Sequence, residues 1–270
     1  MKPLNFFLDI DGTLIGGGDG KLVGKVVKKV SDGVISAILK AKESGSRFFI
    51  NTARPHWLVS ETEFPPEIFD GICSGCGTCI TYHGKIIYEN YLSDCEVKKA
   101  VSDLKKAFPP EFSILVEGKD MNYYCGATIP WYLNARFPKL ESDAEIGTLY
   151  KDIKTQKLSF NKLSGEFKYE MFDCVKDGFD VMIHPAYAEI APKGYSKGKA
   201  IEIAERELSI DHSTTVAIGD SLNDAEMFKY AAVSVAMGNA PDNVKALCDH
   251  VTASVSDDGV ARAIEMLTGI

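Results

Sequence analysis

Leu4-Asn5-Phe6-Phe7-Leu8-Asp9-Ile10-Asp11-Gly12-Thr13-Leu14 begins as a short apolar run and breaks into two aspartates separated by one isoleucine. A continuous apolar run of this length suits a strand buried on both faces of a parallel sheet. Ligands of open parallel sheets bind beyond the C-terminal ends of the strands, so Asp9 and Asp11 stand where a ligand would be met. Outward from this stretch, Ser31 and Asp32 can cap a helix with Ile35, Ile38 and Leu39 at helical spacing, and Gly45 is placed to stop it. Arg47–Asn51 gives a second buried strand, completing a β-α-β unit, and Pro55 restarts the chain toward a short helix.

The C-terminal third repeats the alternation. Lys197–Leu208 is predicted as a helix with Ala200, Ile201, Ala204 and Leu208 on one face, Thr215–Ile218 as a strand, and Asp220 onward as a helix. Val233–Ala236 is a further strand; Pro241 suits the first turn of a helix, and Asp257 or Asp258 starts the last one. Strands alternating with helices predict an α/β fold with a Rossmann-like, doubly wound parallel sheet. The middle differs. After a hairpin expected at His83-Gly84, an amphipathic helix (Val97, Val101, Leu104, Phe108) is followed by strand-like runs at Phe112–Val116, Asn122–Cys125, Lys157–Phe160 and Phe179–Ile183. Residues 91–187 are therefore read as an inserted α+β domain, with residues 1–90 and 188–270 forming the core.

A chain of 270 residues with 45% hydrophobic and 25% charged residues has ample material for a packed core, which excludes wholesale disorder. Its net charge of −8 argues against a nucleic-acid or membrane-surface binder, and no apolar run has the length of a membrane span. Asp9 interrupts the N-terminal apolar run too early for a signal peptide, so a cytoplasmic location is expected, as a monomer or weak homodimer. Seven cysteines then imply reduced thiols. Cys73, Cys76 and Cys79 have metal-site spacing but lack a fourth nearby ligand; among Gly75, Gly77 and Thr78 they read as small residues of a tight segment.

The polar residues at the predicted strand ends are Asp9 and Asp11, then Asn51-Thr52-Ala53-Arg54, then Gly219-Asp220-Ser221-Leu222-Asn223-Asp224; Lys193 and Lys197 lie at the opening of a helix. Singly, each is an ordinary turn, cap or surface residue. Together, clustered carboxylates repel unless a cation lies between them. Aspartate oxygens are hard ligands with no His-rich or Cys-rich set competing, which points to Mg²⁺, and Lys197, Thr52 and backbone N–H groups would complete an anion cradle.

Asp9–Leu14 (D-I-D-G-T-L) resembles motif I of the haloacid dehalogenase superfamily of phosphatases, Thr52 its motif II, Lys197 its motif III and Gly219–Asp224 (G-D-S-L-N-D) its motif IV. Val235–Ala240 and Asp258-Gly259-Val260-Ala261 are similar to the Cof-type branch, in which a large α/β cap lies between motifs II and III. Thr52-Ala53-Arg54-Pro55 departs from that branch's T-G-R-P, and Cys76-Gly77-Thr78 from its N-G-A, so the asparagine side chain of that pattern is missing here.

The resemblance implies a Mg²⁺-dependent phosphatase of small phosphorylated metabolites, sugar phosphates above all, acting through an aspartyl-phosphate. Asp9 would be the nucleophile and Asp11 the general acid and base. Asp9, the Asp11 carbonyl and Asp220 would bind metal, with Asp224 behind them. Thr52, Ala53, Lys197 and Asn223 would hold the phosphate, and Arg54 is read as structural. The aromatic residues Tyr123, Tyr124, Trp131 and Tyr132 of the insertion are candidates to stack on the leaving group or to form its core. The alternatives are a phosphosugar mutase of the same superfamily and a non-enzymatic phospholigand-binding protein.

Overall fold

The structure is a computed structural model that describes residues 2–16, 29–60, 68–108, 113–120, 122–126, 154–161, 168–183 and 187–270. Residues 17–20 of a glycine-rich stretch, Phe112, Trp131 and Tyr132 lie outside them. The chain divides into two compact units, one of Met1–Arg54, Ser60–Glu89 and Ser196–Ile270, the other of Pro55–Val59 and Asn90–Tyr195.

In chain order the elements are β1 (Asn5–Leu8), α1 (Asp32–Glu43), β2 (Arg47–Asn51), α2 (His56–Ser60), β3 (Gly71–Ser74), β4 (Cys79–Tyr82) and β5 (Lys85–Glu89). Next come α3 (Asp94–Ala107), β6 (Ser113–Gly118), β7 (Asn122–Gly126), β8 (Thr155–Asn161), β9 (Phe179–Ile183) and β10 (Tyr187–Pro192). The chain closes with α4 (Lys197–Leu208), β11 (Thr215–Gly219), α5 (Ala225–Tyr230), β12 (Val233–Ala236), α6 (Asp242–Lys245), β13 (His250–Val251) and α7 (Gly259–Thr268).

Among the described residues the first unit holds an eight-stranded sheet in the order β13-β12-β11-β1-β2-β3-β4-β5. Pairing is parallel from β13 to β3 and antiparallel through β4 and β5. β1 is fully buried, and its register with β2 sets Phe6 on Phe48 and Phe7 on Phe49, with ring centroids 4.7 and 4.8 Å apart. The chain leaves β1 toward β2 and β3 in one direction and leaves β11 toward β12 and β13 in the other. Strand order therefore reverses between β1 and β11, the switch point where such sheets leave a crevice for ligands.

Local chemistry explains the boundaries. Ser31 accepts the Val34 N–H as the N-cap of α1, whose buried ridge is Val34, Ala37, Ile38 and Ala41. Leu39, expected on that face, is exposed, because it lies a third of a turn away from the ridge. Asp220 does not begin a helix as expected; a 3₁₀ turn at Leu222–Asp224 precedes α5. His83 (φ 46°) and Gly84 (φ 74°) make the expected two-residue hairpin turn.

Among the described residues the second unit carries a five-stranded antiparallel sheet in the order β7-β6-β8-β10-β9. One face packs Ile114, Val116, Leu158 and Ile190 against Val97, Val101 and Leu104 of α3, with Phe108 just past the helix end. The period-two alternation of strands sends Glu117, Lys157 and Glu189 to the other face. Residues 188–195, read from the sequence as core, belong to this unit because β10 pairs with β8 and β9. No helix among the described residues is long and apolar enough to cross a membrane.

Candidate active site

The site residues stand at the C-terminal ends of β1, β2 and β11. The Asp9 N–H continues the β1–β11 ladder, donating to the Ile218 carbonyl at 3.0 Å, so a main-chain bond fixes where its carboxylate starts. Thr52 follows β2 and donates its N–H to Cys73 O, and its Oγ1 accepts the Arg54 N–H at 3.1 Å. Gly12 (φ 87°) turns the chain after Asp11; a Cβ there would overlap the Asp220 carboxylate, so only glycine lets the two loops approach. Lys197 opens α4 behind its N-cap Ser196 and is buried. Its backbone carbonyl accepts from the Asn51 amide at 2.9 Å, tying this helix start to the end of β2.

Lys197 Nζ lies 2.6 Å from Asp9 Oδ1 and 2.6 Å from Asp224 Oδ1, and Asn223 Oδ1 accepts from it at 3.3 Å. The other oxygen of Asp224 accepts the N–H groups of Asp220 and Ser221, both at 3.0 Å. Asp224 is thus fully engaged by protein donors and shapes the loop from behind. Asp9, Asp220 and Asp224 bring carboxylate oxygens within 4.8 Å of one another. One ammonium serves two of them, and Asp220 Oδ1 is buried with no hydrogen-bond partner. A buried carboxylate oxygen left bare beside two further carboxylates fits a hard cation.

The electrostatics agree. Burial pushes the Asp9 carboxyl well above its ordinary range, with Lys197 opposing and the Asp224 charge reinforcing. Burial and the Asp224 charge push Asp220 up to about 7. Burial alone would depress Lys197, but Asp224 and Asp9 outweigh it and hold the ammonium charged. Asp11 lives differently. Its side chain is 57% exposed, and both oxygens are gripped by the Arg54 fork, Nε at 2.8 Å and Nη2 at 2.6 Å.

A family model described as haloacid dehalogenase-like hydrolase matches residues 6–264, nearly the whole chain. The chain belongs to that family. YkrA of Bacillus subtilis (strain 168) is 28% identical over 271 residues, 99% of this chain and 98% of its own. YcsE of the same strain, named a 5-amino-6-(5-phospho-D-ribitylamino)uracil phosphatase, is 25% identical over 260 residues, 95% of this chain and 92% of its own. Among solved structures, the subclass IIB sugar phosphatase BT4131 matches with a TM-score of 0.78 at 24% identity, covering 99% of this chain and 100% of that one. A haloacid dehalogenase-like hydrolase from B. subtilis matches at 0.80 and 21% identity, covering 97% and 99%. These likenesses establish the fold, and the family makes the chain an enzyme.

Within this haloacid dehalogenase-like hydrolase, Asp9, Thr52, Lys197, Asp220, Asn223 and Asp224 all fall in the first unit at one end of the sheet. Ala53 is buried beside Thr52. Lys193 belongs to the second unit, where its Nζ donates to the Lys176 carbonyl. The cysteine trio is absent from the groups of described residues close enough to hold an ion; Cys73 and Cys79 are buried on β3 and β4, and Cys76 turns the chain between them at φ 59°.

Two residues carry more than the sequence reading gave them. Arg54 grips Asp11. Asn239 donates to the Gly12 carbonyl at 2.9 Å and to Asp220 Oδ2 at 3.5 Å while accepting the Val255 N–H, which ties the Asp11 and Asp220 loops together. The only sequence signal for Asn239 was its place in the Val235–Ala240 stretch.

Proposed function

We propose that this haloacid dehalogenase-like phosphatase hydrolyses small phosphorylated metabolites, sugar and polyol phosphates foremost, with Asp9 carrying the phosphoryl group between two half-reactions. The observation that carries the reading is the pairing of a buried nucleophile candidate, Asp9, with Lys197 at 2.6 Å beside a buried Asp220 oxygen that no donor meets at good hydrogen-bond geometry. Magnesium is the metal we infer; Asp9, the Asp11 carbonyl and Asp220 would hold it, and when bound it supplies positive charge to the phosphoryl oxygens.

In the first half-reaction an Asp9 oxygen bonds to phosphorus as the bond from phosphorus to the leaving oxygen breaks, and Asp11 gives that oxygen a proton. In the second, water bonds to phosphorus, loses a proton to Asp11, and the bond from Asp9 to phosphorus breaks to restore the carboxylate. Lys197 fixes the Asp9 oxygen and offers positive charge to the phosphate, and the Thr52 hydroxyl is free to donate because its oxygen already accepts from Arg54. The second unit, residues 91–187 together with β10, is proposed as the insertion that selects the leaving group.

The substrate class draws support from two relatives, one named for a phosphoribityl compound and the other a sugar phosphatase, since both names describe phosphates on polyhydroxylated chains. The test is phosphate release from a panel of sugar and polyol phosphates with and without Mg²⁺. Mg²⁺-dependent release from several members supports the reading. Transfer of phosphate between hydroxyls of one sugar without release would replace it by a mutase, and binding without turnover by a sensor.

A further inference from the structure

The Arg54–Asp11 pair is more than a surface ion pair. Exposed pairs generally contribute little, except where an arginine grips a carboxylate with two parallel bonds, as here at 2.8 and 2.6 Å. The arginine is the anchored member. Its side chain is 22% exposed against 57% for Asp11, its N–H is held by Thr52 Oγ1 and its carbonyl accepts the Gly75 N–H at 2.8 Å. Asp11 projects from a turn beside Gly12, so without the fork an exposed carboxylate would spread over its rotamers. In the fork both of its oxygens are turned toward donors, the arrangement of a proton acceptor.

We propose that Arg54 is the positioning residue that sets Asp11 as the base in hydrolysis of the phosphorylated enzyme, an inference that rests on the reading of Asp9 and Asp11 given above. In that step the water oxygen bonds to phosphorus, one water proton passes to an Asp11 oxygen, and the bond between phosphorus and the Asp9 oxygen breaks with its electron pair returning to Asp9. Arg54 exchanges no proton; it determines which way the accepting oxygen points. The first half-reaction with an aryl phosphate asks little of Asp11, because a nitrophenolate leaves without a proton. Arg54 should therefore matter more to the second half-reaction than to the first.

Rapid-quench kinetics with 4-nitrophenyl phosphate and Mg²⁺, with mass detection of the phosphorylated Asp9 peptide, separates the two steps. In Arg54→Ala steady turnover should fall about ten- to a hundredfold, a part of the ~10²–10⁴ that a general base contributes. The nitrophenolate burst should slow less than turnover, and phosphorylated Asp9 should accumulate. Arg54→Lys, which keeps charge but loses the fork, should lie between, and it carries the test if the alanine variant does not fold. Combining Arg54→Ala with Asp11→Asn should cost no more than Asp11→Asn alone. Equal loss in burst and turnover without trapped phosphoenzyme, or losses that multiply in the double variant, would overturn the role of Arg54 while leaving Asp9 in place. Wild-type protein that never carries phosphate on Asp9, or releases none from any substrate, would overturn the underlying reading instead.

Discussion

Asp9 and Asp11 stand two residues apart in opposite surroundings, one buried against Lys197 and the other largely exposed in the grip of Arg54, and substitution should expose that difference. Asp9→Asn replaces the proposed attacking oxygen by a neutral amide, so phosphate release from every substrate should fall to background. Asp11→Asn removes the proposed proton donor and acceptor, a loss of about 10²–10⁴-fold on a sugar phosphate, whose alkoxide needs a proton, and far less in the first step on 4-nitrophenyl phosphate. Single-turnover rates on the two substrates check this; equal losses would mean the roles are misassigned. At Gly12 the obstacle is space and backbone together. Gly12→Ala must accommodate φ 87° and a methyl where the Asp220 carboxylate lies, so most activity should vanish and thermal unfolding should report a cost of about 1–3 kcal/mol. The aspartates, Thr52 and Lys197 were legible because each sits beside a strand end or helix start that short apolar runs reveal. Arg54 was not: its partner is brought to it by the register of β1 on β2, and a lone arginine after a strand says nothing about what it will hold.

The antiparallel sheet of the second unit buries charged side chains. Lys157 Nζ is 2.9 Å from Glu189 and 3.7 Å from Glu117, all three on the face away from α3. Burial pushes the Glu117 carboxyl up to about 7, more than Lys157 can offset, and Glu189 adds to the rise. A carboxyl raised on folding binds its proton more tightly in the native state. Between about pH 4.5 and 7 the folded unit therefore holds protons that the unfolded chain has released, and its stability should fall as pH rises, by about 3 kcal/mol in total. Glu117→Gln should remove that slope and leave the unit more stable than wild type at pH 8. Lys157→Met removes the ammonium that both carboxylates approach and should destabilise the unit there. Denaturant unfolding followed by hydrogen exchange of β6 and β8 amides at pH 5 and 8 reads both; a pH-independent wild type would show that Glu117 stays charged. Two strands were not legible in the sequence, each for a local reason. β10 contains Glu189 and ends at Pro192, so its period-two pattern was masked, and β3 was hidden because Gly71 and the cysteines drew attention to spacing instead of pairing.

For the molecule as a whole, the crowding of Asp9, Asp220 and Asp224 predicts that folding and catalysis answer to the same ion. EDTA should abolish phosphate release and Mg²⁺ restore it, whereas Ca²⁺, with its larger and looser shell, should restore far less. Mg²⁺ at a hundred times its dissociation constant should add about 2.7 kcal/mol of stability, seen as a rise in unfolding temperature that Asp220→Asn loses. Full activity in EDTA with no thermal response would remove the metal from the site. The alternation of strands and helices made β1, β2, β11 and β12 of the core legible, because buried parallel strands announce themselves as apolar runs. The place of β1 inside that sheet has a consequence for biosynthesis. Its β2 side can pair as soon as β2 has been made, but its β11 side must wait for Thr215–Gly219, about 200 residues later. At roughly 5–20 residues per second the ribosome leaves that edge open for about 10–40 s. During that interval the nascent chain displays a phenylalanine-rich strand with a row of unpaired amides, a template for misassociation. The strand that leads into Asp9 is thus the stretch a chaperone has most reason to cover, and translation products truncated before Gly219 should aggregate instead of folding.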